Sequence, residues 1–268
     1  MEALSMSVKS FLRRLSRLLF VTNPAAFWLL LREGKEMAIS YLYQVWTIYL
    51  WRKSLCMRGV VPCLLPEGTV SEMFPDVDLT QVTLLFPLPR PGGVQMHELA
   101  LLVAIVRTLQ PKRLVEIGTA EGRTTINLAL HSPPDAEIIT LDLPPDAPGS
   151  SPESGADYRQ MGIPEPGVLF RNHPLAAKIR LLLADSTKFD WSPYERSVDF
   201  VFIDGAHDYE SVRKDTENAL RIVREGGIIL WHDYSIFKGV TLCLNELRQR
   251  LPVVWIQGTT LACYRFVK

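Results

Sequence analysis

The chain has 268 residues, of which 47% are hydrophobic and 22% charged, and its formal net charge is zero. This composition excludes a disordered or collagen-like chain, and the length allows one large α/β domain with an appendage. The charge is uneven, because residues 1–60 hold nine Lys or Arg and three Glu, which gives +6 there and −6 in the remainder.

Residues 1–60 alternate basic clusters with apolar runs. From Ser7 to Phe20 the apolar side chains recur at helical spacing with the basic ones elsewhere, so an amphipathic basic helix is predicted. The run from Met37 to Trp51 is apolar for about fifteen residues, fewer than the ~20 of a membrane span. Two interpretations stay open: helices packed on the main domain or on a second subunit of a homo-oligomer, and peripheral attachment to an anionic membrane face.

Two other classes are disfavoured for this segment. No small-residue cleavage site cleanly follows an apolar run, which argues against a signal peptide. The apolar faces are wide and no recognition motif accompanies the basic clusters, so no nucleic-acid partner is expected.

Residues 61–94 are rich in proline and weakly periodic, which predicts a linker or a wrapping segment. A mostly apolar helix is predicted from Gln95 to Leu109, ending before Pro111, and it opens a main domain that we place at residues 95–268. His97 and Glu98 lie at the start of this helix, near the expected pocket. For His97 a partly exposed helix position is the simpler interpretation.

The segment from Arg113 to Leu130 predicts a strand, a glycine turn and a helix, the first unit of a parallel α/β sheet. Gly118 and Gly122 let the backbone pass close to a ligand, and the amides at the start of the helix favour negative or electron-rich ligand atoms. A dinucleotide fingerprint would need glycine where this chain has Ala120 and Arg123. Glu116 beside the turn favours a cationic ligand such as S-adenosylmethionine, which carries a sulfonium and an ammonium group.

The next predicted strand, EIITLD, ends at Asp142. An acidic residue at this strand tip accepts hydrogen bonds from a ribose diol in nucleotide-binding α/β folds, so Asp142 is the predicted ribose ligand. A proline-rich insert without clear periodicity follows, from Leu143 to Ile179, and is predicted to be a lid or substrate-binding segment. Its candidate contact residues are Tyr158, Arg159, Arg171 and His173.

Three further strands end in polar residues. The third ends at Asp185 and Ser186, a usual location of adenine contacts; the fourth and fifth are followed by Asp204, Gly205 and His207 and by His232, Asp233 and Tyr234. Ligands of open α/β sheets lie outside the carboxyl ends of the strands. We therefore expect Asp204, His207, His232 and Asp233 to meet in one crevice, as potential metal ligands or proton-handling groups.

A final hairpin, VVWIQG and TTLACYRFVK with a turn at Gly258, completes a predicted seven-stranded sheet. Taken together, the segments VEIGTAEGRTT, LDLP, ADS, FIDGAHDYESVRKD, GGIILWHDY and GTTLACYR resemble the class I S-adenosylmethionine-dependent methyltransferases. Within that fold the chain is most similar to methyltransferase family 24, related to the catechol-type O-methyltransferases. The resemblance runs from about residue 95 to the end and leaves the first ninety residues uncovered.

The resemblance implies a Rossmann-like seven-stranded sheet of order 3-2-1-4-5-7-6 with the last strand antiparallel, preceded here by an extra helical segment. The S-adenosylmethionine contacts it implies are Glu116, Gly118, Thr119, Ala120, Gly122, Thr124, Asp142, Leu143, Asp185, Ser186 and Asp204. It also implies a divalent-metal site at Asp204, His232 and Asp233. Because His232 stands where a carboxylate is expected, the site either favours Mn²⁺, Fe²⁺ or Zn²⁺ over Mg²⁺ or binds no metal.

The expected reaction is methyl transfer to an oxygen, with His207 as general base and with Asp204, His232 and Asp233 binding acceptor or metal. The implied acceptor is a hydroxyl on a sugar, a glycolipid or a secondary metabolite, and a membrane-seeking amino-terminal segment favours a lipid-linked saccharide. The alternatives are a catalytically inactive cofactor-binding scaffold and, less favoured, an NAD-linked oxidoreductase. Four cysteines without a C-x-x-C pair are typical of the cytoplasm, with the cytoplasmic membrane face as a further option.

Overall fold

The computed structural model describes residues 61–88, 93–144 and 165–266. Predictions made for residues 1–60, and for Tyr158 and Arg159, lie outside these ranges. Within them, no helix is both long and apolar enough to cross a lipid bilayer.

The described residues form one eight-stranded sheet with helices on both faces. Its strands are β1 (Glu67–Gly68), β2 (Arg113–Ile117), β3 (Glu137–Asp142), β4 (Ile179–Leu183), β5 (Val198–Ile203), β6 (Val223–Trp231), β7 (Val254–Ile256) and β8 (Ala262–Arg265). The helices are α1 (Val70–Met73), α2 (Met96–Leu109), α3 (Arg123–His131), α4 (Tyr209–Ile222) and α5 (Lys238–Leu247), with 3₁₀ turns at Leu79–Gln81, Pro174–Lys178 and Ser192–Tyr194.

The strand order is β4-β3-β2-β5-β6-β8-β7-β1, with β8 antiparallel to both of its neighbours and every other pair parallel. The predicted order and the reversed last strand are therefore confirmed. The predicted count of seven strands is wrong, because β1 adds an edge strand that pairs Glu67 with Trp255 and Gly68 with Ile256. Two residues are too few to leave a periodic signal, yet they cover part of the backbone edge of β7.

Alternation along the strands divides the core into two layers. Val115, Val201 and Ile229 face α4 and α5, whereas Leu114, Phe200 and Ile228 face α2 and α3. The central strands are buried on both faces, which explains why their sequences are continuous apolar runs.

The described part of residues 61–94 lies along the domain. Leu85 exchanges two 2.8 Å hydrogen bonds with the Asn127 side chain, and the Arg123 guanidinium donates to the carbonyl of Val94. Near its start, the Leu65 amide donates to the Tyr234 hydroxyl at 3.0 Å. These contacts tie the segment to α3 and to the residues that follow β6.

The carboxyl ends of the parallel strands meet at one edge of the sheet. β2 pairs with β3 on one side and with β5 on the other, so the direction of winding reverses between β2 and β5. Such a switch point opens a crevice, and it sets the location of the site.

Candidate active site

The turn between β2 and α3, residues 118–122, lies at this switch point. Gly118 and Gly122 have φ values of 98° and 88°, in the left-handed region that favours glycine. A Cβ on Gly118 would overlap the carbonyl oxygen of Asp204, and one on Gly122 would overlap the ring of Phe170. The sequence predicts close approach of a ligand here, whereas the structure shows close approach of the end of β5 and of an aromatic ring.

Asp142, at the end of β3, closes the turn. Its Oδ2 accepts hydrogen bonds from the amides of Thr119 at 2.8 Å and Ala120 at 2.7 Å, and its Oδ1 accepts from the Leu143 amide at 2.7 Å. The turn amides that the sequence analysis offers to a ligand are therefore engaged by this carboxylate. Carboxylate oxygens only accept hydrogen bonds, which is the chemistry that a ribose hydroxyl requires.

Glu116 lies wholly buried beneath the turn. Its Oε2 accepts from the hydroxyls of Thr125 and Thr140, and its Oε1 is without a hydrogen-bond partner among the described residues. The pKa of Glu116 is raised to about 8, mainly by burial. The hydrogen bonds from Thr125 and Thr140 oppose this shift, and the negative charges of Asp204 and Asp142 add to it. Glu116 is therefore uncharged at neutral pH, and it does not offer a cationic ligand the charge that the sequence analysis assigns to it.

The other predicted cofactor residues lie along the same edge, and most of them are partly exposed: Gly118, Ala120, Thr124, Leu143, Asp185, Ser186 and Asp204. Thr119 is buried, with its hydroxyl 2.6 Å from that of Thr140. Asp185 accepts from Thr187 and from Lys188, at 2.6 Å and 2.7 Å to their side chains. Asp142 and Asp204 thus place two carboxylates beside the glycine turn, which fits a positively charged ligand, whereas Asp185 is paired with Lys188.

The end of the long insert docks on the glycine turn. Gly167 donates to the Ala120 carbonyl at 2.9 Å, and Leu169 donates to the Glu121 carbonyl at 3.0 Å. Of the predicted contact residues, Arg171 forms an ion pair with Glu165 and His173 accepts from the Leu175 amide at 3.2 Å. Both side chains therefore contact residues of the insert itself, and His173 caps the 3₁₀ helix that follows it.

His232, just after β6, lies at the centre of a group of carboxylates. Its Nδ1 is 2.9 Å from Asp204 Oδ1 and 3.3 Å from Asp233 Oδ1, and its Nε2 is 3.1 Å from Glu98 Oε2. The His232 side chain is 4% exposed and Glu98 is fully buried. The structure therefore brings together Asp204, His232 and Asp233 as the sequence predicts, and it adds Glu98.

His207 is the more exposed of the two histidines, with 16% of its side chain accessible. Its Nε2 is 2.9 Å from Asp233 Oδ2, and its ring stacks on Phe237 with centroids 4.0 Å apart and 7° between the planes. The Nδ1 atom is enclosed and has no hydrogen-bond partner in the described part of the chain. Asp233 thus orients His207 and leaves one ring nitrogen without a partner among the described residues.

The carboxylates control the protonation of both histidines. Burial acts to lower the pKa of His232, but the charges of Asp204 and Asp233 outweigh it and raise that pKa well above its ordinary value. In the same way, burial acts to lower the pKa of His207, but the hydrogen bond that His207 donates to Asp233 outweighs it and raises that pKa. Burial acts to raise the pKa of Glu98, yet the bond to His232 and the positive charge there lower it to about 2.

The donor atoms of Asp204, His232 and Asp233 fit a divalent cation. All three residues offer one ligand atom within 4.8 Å of the others. Adjacent ligands bonded at about 2.1 Å to one ion lie about 3 Å apart, close to the separations from His232 Nδ1 to the two carboxylates. The fit requires that Nδ1 carry no proton.

The sequence predicts that Glu98 lies near the pocket, but it indicates no function for this residue. Its Oε1 accepts from the Thr260 amide at 2.6 Å and from the Thr260 hydroxyl at 2.9 Å. Thr260 lies in the hairpin between β7 and β8, 162 residues along the chain from Glu98. Only the pattern Gln95-x-x-Glu98 at the helix start is visible in sequence, and it indicates a cap rather than a site.

Comparisons with known proteins agree with this topology and these motifs. Residues 115–234 match the model of a family described as a methyltransferase domain, Methyltransf_24. The chain is 27% identical over 167 residues to a caffeoyl-CoA O-methyltransferase of Stellaria longipes, covering 60% of this chain and 62% of the relative. It is 29% identical over 161 residues to tricin synthase 1 of Oryza sativa subsp. japonica, covering 58% and 60%. The chain spans about three fifths of the length of these relatives.

Two solved structures match part of the chain at low sequence identity. The O-methyltransferase TomG of Streptomyces achromogenes, involved in tomaymycin synthesis and crystallised with SAM, has a TM-score of 0.47 and 18% identity, covering 66% of this chain and 82% of that one. The SAH-bound methyltransferase PaMTH1 of Podospora anserina has a TM-score of 0.49 and 16% identity, covering 66% and 81%.

The assignment rests on the strand order with its reversed last strand, on the glycine turn followed by Asp142, and on the family match across residues 115–234. Residues 115–234 match this methyltransferase family, and the similarity to the two O-methyltransferase relatives supports a methyltransferase domain of the class I S-adenosylmethionine-dependent kind.

Proposed function

We propose that this protein transfers a methyl group from S-adenosylmethionine to a hydroxyl group on a sugar, a glycolipid or a secondary metabolite. One observation carries the proposal: the hydrogen-bonded histidines and carboxylates after β5 and β6 lie beside the glycine turn. The name of one curated relative, an O-methyltransferase, supports oxygen as the acceptor atom.

S-adenosylmethionine, when bound, supplies a methyl group on a positively charged sulfur. The Asp142 carboxylate lies at the turn, and we assign it as the hydrogen-bond acceptor of the ribose hydroxyls. The carboxylates of Asp142 and Asp204 give the crevice a negative potential, which favours a cationic donor over a diphosphate. These residues therefore bind and orient the donor.

The acceptor hydroxyl must lose its proton as the oxygen–carbon bond forms. We assign that proton to His207 at Nδ1, the ring nitrogen without a partner, while Asp233 holds Nε2. Because Nδ1 is enclosed, the acceptor reaches it only when the surrounding side chains move. A divalent ion held by Asp204, His232 and Asp233 would lower the pKa of the acceptor hydroxyl.

The test is release of labelled methyl groups from S-adenosylmethionine to a panel of sugars, glycolipids and phenols. His207→Ala should lower turnover by about 10²-fold or more, the usual contribution of a general base, and leave binding of S-adenosylhomocysteine unchanged. His131→Gln is the matched control, because it also removes a histidine but at the last residue of α3, where the ring contacts the Asn127 carbonyl at 2.9 Å and none of the site residues. Near-normal turnover of His207→Ala would exclude the assigned role.

The same assay separates the alternatives. Saturable binding of S-adenosylhomocysteine without methyl release to any hydroxyl would favour a cofactor-binding scaffold. Binding of NAD in its place would favour an oxidoreductase.

A further inference from the structure

Glu98 is more buried, and contacts more of the site, than a glutamate that only caps a helix. It is the third residue of α2, and its Oε2 accepts from the Gln95 amide at 3.2 Å, which is an ordinary cap contact. Glutamates in such caps commonly face solvent, whereas Glu98 is fully buried. A buried carboxylate is costly unless strong donors surround it.

Two residues that contact the Glu98 carboxylate, Thr260 and His232, come from distant parts of the chain. Thr260 donates its amide and its hydroxyl to Oε1, and His232 faces Oε2 with Nε2 at 3.1 Å. The helix start is thereby joined to the residues after β6 and to the β7–β8 hairpin. These contacts bear on the site itself, because His232 is one of the three residues that fit a cation.

The contact with Glu98 fixes which ring nitrogen of His232 carries a proton. An ionised carboxylate only accepts hydrogen bonds, so Nε2 must be the protonated nitrogen. In a neutral imidazole the lone pair is then on Nδ1, which faces Asp204 and Asp233. A carboxylate that holds the far nitrogen of a metal-bound histidine in this way orients the ring and increases its basicity.

We propose that Glu98 is a positioning residue for a divalent-metal site, holding His232 so that Nδ1 joins Asp204 and Asp233 as a ligand. The inference deepens the proposed function, since it concerns the same site. One nitrogen and two carboxylate oxygens suit Mn²⁺, Fe²⁺, Co²⁺ or Zn²⁺ better than Mg²⁺, which prefers oxygen alone. The site should therefore bind Mn²⁺ more tightly than Mg²⁺.

Replacing Glu98 by glutamine exchanges the donor and the acceptor in the contact with His232, and the side chain keeps its size. The Thr260 amide is the closer backbone donor, at 2.6 Å against 3.2 Å for the Gln95 amide, so the glutamine oxygen takes the Thr260 side and the NH₂ group faces His232. Nε2 then has to accept, and the proton moves to Nδ1, where it blocks a metal ion. Aspartate is shorter by one methylene and packs less well, but it remains an acceptor and preserves the lone pair on Nδ1.

The experiment measures Mn²⁺ affinity of the full chain by calorimetry, and nitrogen coordination by pulsed electron paramagnetic resonance, for wild type, Glu98→Gln, Glu98→Asp and Thr260→Val. Glu98→Gln should lose about 10- to 100-fold in Mn²⁺ affinity, the usual effect of an outer partner, together with the imidazole-nitrogen signal. Glu98→Asp should lose less. Thr260→Val removes one of the two donors to Oε1 but keeps the backbone amide, so it should lose less Mn²⁺ affinity than Glu98→Gln.

The order of the two Glu98 variants decides between positioning and packing. A purely structural role predicts that the isosteric glutamine binds Mn²⁺ better than the shorter aspartate, and that result would overturn the proposal. A wild-type chain that binds neither Mn²⁺ nor Zn²⁺ would overturn it as well. Should Glu98→Gln fail to fold, nitrogen NMR of histidine in the Zn²⁺-loaded wild type replaces it: a proton on Nε2 of His232 supports the proposal, and a proton on Nδ1 contradicts it.

Failure here is distinguishable from failure of the proposed function. Wild-type methyl release with unchanged Mn²⁺ affinity in Glu98→Gln would contradict only the role of Glu98. Glu98-dependent Mn²⁺ binding without binding of S-adenosylhomocysteine would contradict only the methyltransferase activity.

Discussion

Single residues in this crevice owe their charge to their surroundings more than to their type. Asp142 and Glu116 stand at the ends of neighbouring strands, yet Asp142 accepts three backbone amides while Glu116 is enclosed and meets two hydroxyls. Backbone donors favour the charged form of a carboxyl group, and burial favours the neutral form. Glu116 therefore supplies a neutral support below the turn, while Asp142 holds the backbone amides of the turn.

Because the pKa of Glu116 is raised, the difference in stability between wild type and Glu116→Gln should depend on pH. Glu116 binds its proton up to about pH 8 when folded but only to about 4.5 when unfolded, so the folded state holds more protons between these values. Stability contributed by this group is then lost as pH rises, by at most about 1.4 kcal/mol per pH unit. Glu116→Gln, which cannot ionise, should become progressively more stable relative to wild type from pH 5 to pH 8.

Urea unfolding of both proteins across that pH range makes the measurement, with Glu225→Gln as the control for losing a surface glutamate. A constant difference between Glu116→Gln and wild type would contradict the raised pKa.

At the scale of elements, the glycine turn is shaped by the end of β5. Gly118 and Gly258 both have left-handed φ values, 98° and 80°, but only Gly118 has backbone where a Cβ would be. Gly258→Ala should cost about 1–2 kcal/mol of strain, whereas Gly118→Ala should cost about 3 kcal/mol or more, because the carbonyl of Asp204 must also move.

Chemical denaturation of the two variants tests this difference, and loss of S-adenosylhomocysteine binding should accompany only Gly118→Ala. Equal destabilisation of the two would show that the turn is not held by β5.

The elements themselves were predictable from local patterns. Apolar runs and the glycines mark β2 to β6, and the polar residues just beyond each strand mark the crevice, since parallel strands end at one edge. The Glu98–Thr260 contact joins residues too far apart in the chain for any periodic signal. Nor does a motif tell whether Asp142 or a ligand engages the turn amides, because that depends on the position of one side chain.

At the scale of the whole molecule, charge and topology act together. Residues after position 60 carry a net charge of −6, and the carboxylates of Asp142 and Asp204 lie beside the glycine turn at the switch point of the sheet. The segment before α2 is bound to α3 and to the residues after β6, so a part of the chain outside the motif regions packs against the domain. This arrangement favours a positively charged donor over an anionic dinucleotide.

The most direct test of this account is calorimetric titration of the full chain with S-adenosylhomocysteine, with NAD as the competitor and Asp142→Asn as the variant. We expect saturable one-to-one binding of S-adenosylhomocysteine, at least about tenfold weaker in Asp142→Asn because hydrogen bonds to a charged group are lost. We expect no binding of NAD. A folded wild-type chain that binds NAD, or that fails to bind S-adenosylhomocysteine, would contradict this account.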